Sequence, residues 1–220
     1  MTEQQDDREQ AVSGEPAATR SRMAERVEET REALIAAARS LFAQRGFADV
    51  ATEEIVRSAR LTRGALYHHF DSKEDLFRAV YERVEQELVE RIAADAASAT
   101  DPLQALRAGA HAFLDACEDR AIQRIALIDA PSVLGWEEWR EIGLKYGFGL
   151  VQGTLEAAVE AGLIERQPVR PLAHLLLGSI DEAAMLIARA DDHGKTKREV
   201  AAAIDRYLDS LRPRADHRPA

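Results

Sequence analysis

The stretch Ala51 to Phe70, ATEEIVRSARLTRGALYHHF, constrains the fold more than any other part of this chain. Ile55, Val56 and Ala59 mark the buried face of one short helix, and Ala65, Leu66 and Phe70 that of a second. Between them, Ser58-Ala59-Arg60-Leu61-Thr62 has a turn-then-cap pattern. The Thr62 oxygen suits the N-cap, where it accepts from backbone N–H groups that a helix start leaves without partners. Two short helices crossing steeply over a turn of roughly three or four residues form a helix-turn-helix, whose second helix enters a DNA major groove. The same pattern fits a plain helical hairpin in an all-α core, so the rest of the chain has to decide.

Charge is the first test. The formal net charge of −10 seems to argue against a polyanionic partner. Its distribution does not. Arg20 to Arg78 holds 11 Lys and Arg against 10 Asp and Glu, and the remainder 18 against 29. Between Arg57 and Lys73 stand four basic residues and one acidic residue, Asp71. A local basic patch governs docking on phosphates, so total charge does not exclude DNA.

With 220 residues, 46% of them hydrophobic, the chain has material for one large or two small domains. No run of eighteen uninterrupted apolar residues occurs, so no membrane span is expected. The polar N-terminus MTEQQDDREQ lacks a signal-peptide pattern, and the single Cys117 fits a reducing cytoplasm. No Cys/His spacing suits zinc, and no cofactor is implied.

Residues 1–25 are polar and acidic with few apolar positions, and are expected to be a disordered tail. Arg20, Arg22 and Arg26 at its end could trail along DNA, or simply be solvated. Residues 26–75 read as a helix-turn-helix domain. Its first helix begins at Thr30, with Leu34, Ala37, Ala38, Leu41 and Phe42 on one face. Gly46 suits the left-handed position that closes it, with Phe47 folding back onto the last turn. A second helix spans Asp49 to Ser58, with Glu53 and Glu54 in its first turn, and a third Thr62 to His69. Ser72 and Asp75 form a capping-box-like pair opening a long fourth helix, whose stripe from Leu76 to Ile92 connects to a second domain, residues 76–212.

In that second domain Asp101-Pro102 caps a helix with Leu103, Leu106, Ala110, Phe113, Leu114 and Cys117 inside. A short helix from Asp119 to Asp129 is expected to close at Pro131. Trp136 to Leu163 is helical in spite of Gly143, Gly147, Gly149 and Gly153, each of which costs about 1 kcal/mol relative to Ala. Close packing or space for a ligand would offset that. Arg170 to Ala190 is strongly apolar, and Thr196-Lys197-Arg198-Glu199 reads as the capping box of the last helix. Residues 213–220 are expected to be a disordered tail. No strand signal competes; the fold class is all-α.

Phe42, Gly46, Phe47, Ile55, Ala59 and Leu61, followed by the run Thr62-Arg63-Gly64-Ala65-Leu66-Tyr67-His68-His69-Phe70-Asp71-Ser72-Lys73-Glu74-Asp75-Leu76 and by Phe77, resemble the TetR family of bacterial transcriptional regulators. The C-terminal part resembles it in helical character and length, with a weaker likeness around Leu134-Gly135-Trp136-Glu137. The resemblance implies a homodimer whose last two long helices pair about a two-fold axis. It further implies a palindromic double-stranded DNA operator, and a small-molecule effector whose binding respaces the two heads and releases DNA, most simply as a repressor. Two positions depart from the family pattern. Val50 and Ala51 stand where it has Thr or Ser at the start of the second helix, with Thr52 one place late. Arg60 stands where it prefers Gly, in a left-handed conformation uncommon for other residues.

On this reading Thr62, Arg63, Gly64 and Ala65 approach base edges. Arg63 is placed for a bidentate contact to guanine O6 and N7, and the Ala65 methyl for a thymine methyl. Tyr67 and His68 resemble the family's phosphate clamps, and Lys73 can neutralise a phosphate. Arg57 and Arg60 suit either a solvated face or a backbone contact, and Thr52 a phosphate contact. The candidate effector pocket comprises His111, Phe113, Cys117, Asp129, Trp136, Trp139, Tyr146, Phe148, His174 and Met185, for an apolar or aromatic small molecule. Ordinary core packing is the competing role for the aromatics and histidines. An enzyme is disfavoured, because no nucleophile, metal or phosphate-loop spacing occurs. A helical interaction protein that has lost specific DNA binding is the alternative.

Overall fold

The computed structural model describes residues 17–213, and every regular element among them is helical. The disorder expected of residues 1–16 and 214–220 lies outside the described residues. The head consists of α1 (Ala17–Arg45), α2 (Thr52–Ser58), α3 (Arg63–His69) and the start of α4 (Lys73–Ala96).

The first helix corrects the sequence reading. It begins at Ala17, not Thr30, so residues 17–25 are helix. The Thr30 hydroxyl donates to the Arg26 carbonyl one turn back at 2.8 Å, which is how Thr behaves inside a helix. Ala, Arg, Glu and Met have high intrinsic helix propensity, and that sustains a turn whose Met23 and Val27 stay exposed. An apolar-periodicity argument cannot register such a segment.

The caps follow the sequence closely. Thr62 Oγ1 accepts from Ala65 N–H at 3.1 Å and opens α3. Ser72 Oγ accepts from Asp75 N–H at 3.0 Å, and the Asp75 carboxylate accepts from Asp71 N–H at 3.1 Å, so α4 is capped from both directions. α2 is different. It starts at Thr52, three residues after the expected Asp49, and its N-cap Ala51 offers no side-chain acceptor. Glu54 reaches back to Ala51 N–H at 3.3 Å and supplies half of a capping box. Phe42, Phe47 and Phe77 meet with ring centroids 5.2–5.6 Å apart, so Phe47 does fold back after the left-handed Gly46.

The second domain contains α5 (Pro102–Ala116), α6 (Arg120–Ile122), a π-helical stretch Gln123–Asp129, α7 (Ala130–Val133), α8 (Trp136–Glu160), α9 (Val169–Ala188) and α10 (His193–Ser210). Pro131 does not close a helix. It lies in the first turn of α7, where its missing N–H removes no necessary bond. α10 is capped by Asp192, which accepts from Lys195 N–H at 2.9 Å, so the Thr196 box is interior to the helix.

One hydrophobic cluster joins Leu34, Phe42, Ile55 and Leu66 of the head to Tyr81, Ile125 and Trp139, so α4 carries a continuous core between the two regions. A second cluster fills the space between α5, α8, α9 and α10 around Leu114, Leu155, Ala173, Leu176 and Leu208. By length and hydropathy alone α9 (Val169–Ala188) is long and apolar enough to cross a membrane. It is instead a core helix, burying Leu172, Leu176, Ile180 and Ile187 and carrying Arg170, Asp181 and Glu182 along its length.

Candidate nucleic-acid interface and effector cavity

On α3, Leu66 is buried and Phe70 just beyond is buried with it, which turns Arg63, Gly64, Tyr67 and His68 outward. Arg57, Arg60 and Thr62 are exposed beside them, Ala65 and Thr52 half-buried. Arg60 has φ +57°, so the turn takes the left-handed form expected of it without a glycine. Thr52 spends its hydroxyl on Glu53 at 3.2 Å. Lys73 is not a free surface cation: its Nζ lies 4.1 Å from the Phe47 ring centroid, and burial pulls its pKa down.

Arg63 is engaged as well. One guanidinium nitrogen lies 2.8 Å from Glu53 Oε1, and the group rests 5.4 Å from the Tyr67 ring centroid. Glu53 is held below the usual carboxylate range by its own backbone N–H, by the Thr52 hydroxyl and by Arg63, so it stays ionised at neutral pH. Arg63 therefore has to leave a carboxylate before it can read a base. Glu53→Gln is expected to tighten DNA binding a few-fold on all sequences, since it removes a competing anion beside the phosphates. Fluorescence anisotropy on operator and random duplexes checks this; unchanged or weaker binding to both would refute the restraint.

At the junction of head and second domain, Asp129 is buried, and its carboxylate accepts from Phe47 N–H at 2.7 Å and from Arg124 Nε at 3.3 Å. The Arg124 guanidinium covers Gly46, where φ is +83° and an added Cβ would fall 1.9 Å from Nη2. The left-handed φ is what favours glycine here, since an added Cβ would meet only the movable end of the Arg124 side chain. Asp129 thus ties the end of α1 to the π-helical stretch and does not line a cavity.

A cavity of about 110 Å³ lies between α4, α5, the π-helical stretch, α8 and α9. Of the residues expected there, it brings together Phe113, Cys117 and Trp139. The others lie elsewhere. His111 Nε2 is 3.0 Å from Asp205 and links α5 to α10. Trp136 is exposed and leans on Trp139, and Phe148 and His174 stack on each other at 4.6 Å. Tyr146 packs half-buried with the Lys145 ammonium over its ring, and Met185 is buried in the first core cluster. Gly143 and Gly147 border the cavity, as the ligand-space argument required, whereas Gly149 and Gly153 face outward with open space beside them.

The polar lining was not anticipated. Tyr81, Glu85, Arg140 and Asp181 all face the cavity, the last two joined as an ion pair. Burial pushes Glu85 up to about 7, with the nearby Asp181 adding to it. Burial also raises Asp181 to about 6 against the opposing pull of Arg140, and Cys117 to about 12, a neutral thiol. Tyr81 is raised too, and donates to the Trp139 carbonyl at 3.3 Å. Glu85 stands four residues after Tyr81 and three before Leu88. That interruption of the α4 stripe was its readable signal.

The architecture has known counterparts. Residues 34–80 match the profile of bacterial regulatory proteins of the tetR family, and residues 103–211 that of the tetracyclin repressor-like C-terminal domain. A TetR-family transcriptional regulator from Pectobacterium atrosepticum superposes with a TM-score of 0.77 at 34% identity, covering 87% of this chain and 98% of that one. The chain belongs to the TetR family. It is a helix-turn-helix transcriptional regulator in a family of DNA-binding proteins, not of enzymes. The Tn10 TetC protein of Escherichia coli is 27% identical over 177 residues, 80% of this TetR-family chain and 86% of TetC. RolR, solved in complex with resorcinol, superposes with a TM-score of 0.68 at 21% identity over 87% of this chain and 97% of its own, a likeness that carries the fold alone.

Proposed function

We propose that this TetR-family regulator is a cytoplasmic repressor, binding a palindromic operator as a homodimer and released from it when a small apolar or aromatic effector fills the cavity. The observation that carries the reading is an outward-facing α3 in the head together with a cavity in the second domain, with the head tied by the Asp129–Phe47 hydrogen bond to the π-helical stretch that borders the cavity. RolR binds resorcinol, and a single aromatic ring is in scale with the cavity found here.

The dimer is assigned to the last two long helices, α9 and α10. Pro171, Leu175, Ser179, Glu182 and Leu186 recur every three or four residues along the exposed side of α9, and Leu175 and Leu186 are 65% and 52% exposed. Two large apolar side chains on one helical face suit a covered surface better than a solvated one.

Two variants of the head test its roles. Arg63→Ala is expected to relax specificity at one operator position, by roughly 1–3 kcal/mol of discrimination. Lys73→Ala is expected to weaken binding to every sequence alike and to reduce the salt slope by about one unit. An anisotropy titration across salt decides; a Lys73→Ala slope equal to wild type removes the phosphate contact. Ala51 and Arg60 favour the other reading, an interaction protein without specific DNA binding. A gel shift on the DNA upstream of the protein's own gene separates the two, with no retardation favouring that alternative.

A further inference from the structure

The charges around the cavity do not balance. Two carboxylates face it, Glu85 from α4 and Asp181 from α9, with one guanidinium, Arg140 from α8. Arg140 is committed to Asp181 and also reaches the His174 carbonyl at 3.5 Å. Among the described residues no Lys, Arg or His forms an ion pair with Glu85. Its hydrogen-bonding neighbour is the Tyr81 hydroxyl, whose single proton is shared with the Trp139 carbonyl. Glu85 is half-buried and lines the cavity. The remaining wall is apolar, with Leu88, Ile92, Phe113, Leu176 and Ile180. An unpaired carboxylate in such surroundings is expensive, and either a proton or an incoming cation relieves it.

We propose that the cavity is a site for a small amine on an aromatic or branched apolar body, its ammonium group pairing with Glu85. This rests on the reading of the cavity as the effector site. The volume of about 110 Å³ is below the roughly 150 Å³ that holds benzene, so it limits the ligand to at most a single small ring or a short chain. A carboxylate ligand meets two like charges and no free cation. A neutral alcohol gives Glu85 a hydrogen bond but leaves its charge uncompensated.

The site also predicts a proton linkage. Tyr81 on α4, Asp181 on α9, Arg140 on α8 and Cys117 at the end of α5 surround Glu85. With its pKa at about 7, Glu85 is largely protonated at pH 6 and largely ionised at pH 8. An ammonium group binds the ionised form, so amine affinity rises about tenfold over that interval and binding near neutrality releases protons.

The test uses the full chain with benzylamine, benzyl alcohol and benzoate as probes, by isothermal titration calorimetry at pH 6 and 8 in two buffers of different ionisation heat. Benzylamine is expected to bind most tightly, about tenfold better at pH 8, with proton release. Glu85→Gln is expected to weaken it at least tenfold and to flatten its pH dependence, leaving benzyl alcohol unchanged. The wild-type pH profile stands by itself if that variant fails to fold. Benzyl alcohol binding as tightly as benzylamine, benzoate binding best, or a benzylamine affinity indifferent to pH would each overturn the amine. If benzyl alcohol or benzoate binds and releases operator DNA while benzylamine does not, the amine assignment fails and the effector reading stands. If none of the three binds or alters operator affinity, both fail.

Discussion

Asp129→Ala is expected to lower the thermal midpoint by roughly 2–12 °C at matched protein concentration. The substitution leaves the Phe47 N–H without its acceptor, at about 1–3 kcal/mol, and each kcal/mol shifts the midpoint of a chain this size by roughly 2–4 °C. It also strands the Arg124 guanidinium over Gly46. Asp129→Asn should fall between, because an amide oxygen can still accept from Phe47 while the ion pair is lost. The larger effect is on regulation. With this tie between Phe47 and the π-helical stretch lost, a ligand should still bind the cavity, but the proposed release of operator should be blunted. Calorimetry and operator titrations with and without ligand read the two effects separately. A midpoint and a ligand response both equal to wild type would show that Asp129 is not a strut.

Replacing Leu175 and Leu186 together by Glu is expected to convert the proposed dimer to a folded monomer and to abolish the proposed tight operator binding. Both side chains already face solvent in the single chain, so the fold itself loses little. In a two-fold interface each buried leucine contributes about 1.5–3 kcal/mol, and symmetry counts every one twice. The dissociation constant should therefore rise by several powers of ten, before the repulsion of the introduced carboxylates is added. A monomeric head meets one half-site and loses the second half's contribution. Sedimentation equilibrium and operator anisotropy check this; a double variant that remains dimeric moves the interface away from α9.

Much of the head was legible in the chain because its signals are local. Thr62 and Ser72 are caps that act over three residues, Gly46 is a left-handed stop, and Arg60 marks a turn whose φ is set by adjacent sterics. The start of α1 was missed because propensity, not an apolar stripe, extends it to Ala17. The cavity was less legible, because its members come from five segments and share it only through tertiary packing. Phe113, Cys117 and Trp139 were found by their apolar character, which says what is inside but not what faces a void. His174 and Phe148 have the same character and pair with each other instead. Asp129, expected in the effector pocket, instead holds Phe47, which lies 82 residues earlier and beyond any local pattern. Glu85 and Asp181 were passed over because a carboxylate on a helix is ordinarily a solvated one.

The π-helical stretch gives the molecule a short lever. Ile122 immediately before it, together with Ala126 and Leu127 within it, borders the cavity, and Asp129 at its end holds Phe47. From Leu127 to Asp129 is a step of two residues, too little chain to absorb a displacement by bending. A wide helical turn is also a poor spring, since its hydrogen bonds run to the fifth residue back, as from Ala130 to Ile125. On the proposed reading, what fills the cavity beside Leu127 has a short route to the foot of α1, and the placement of a few side chains around one turn would set the movement of the reading head.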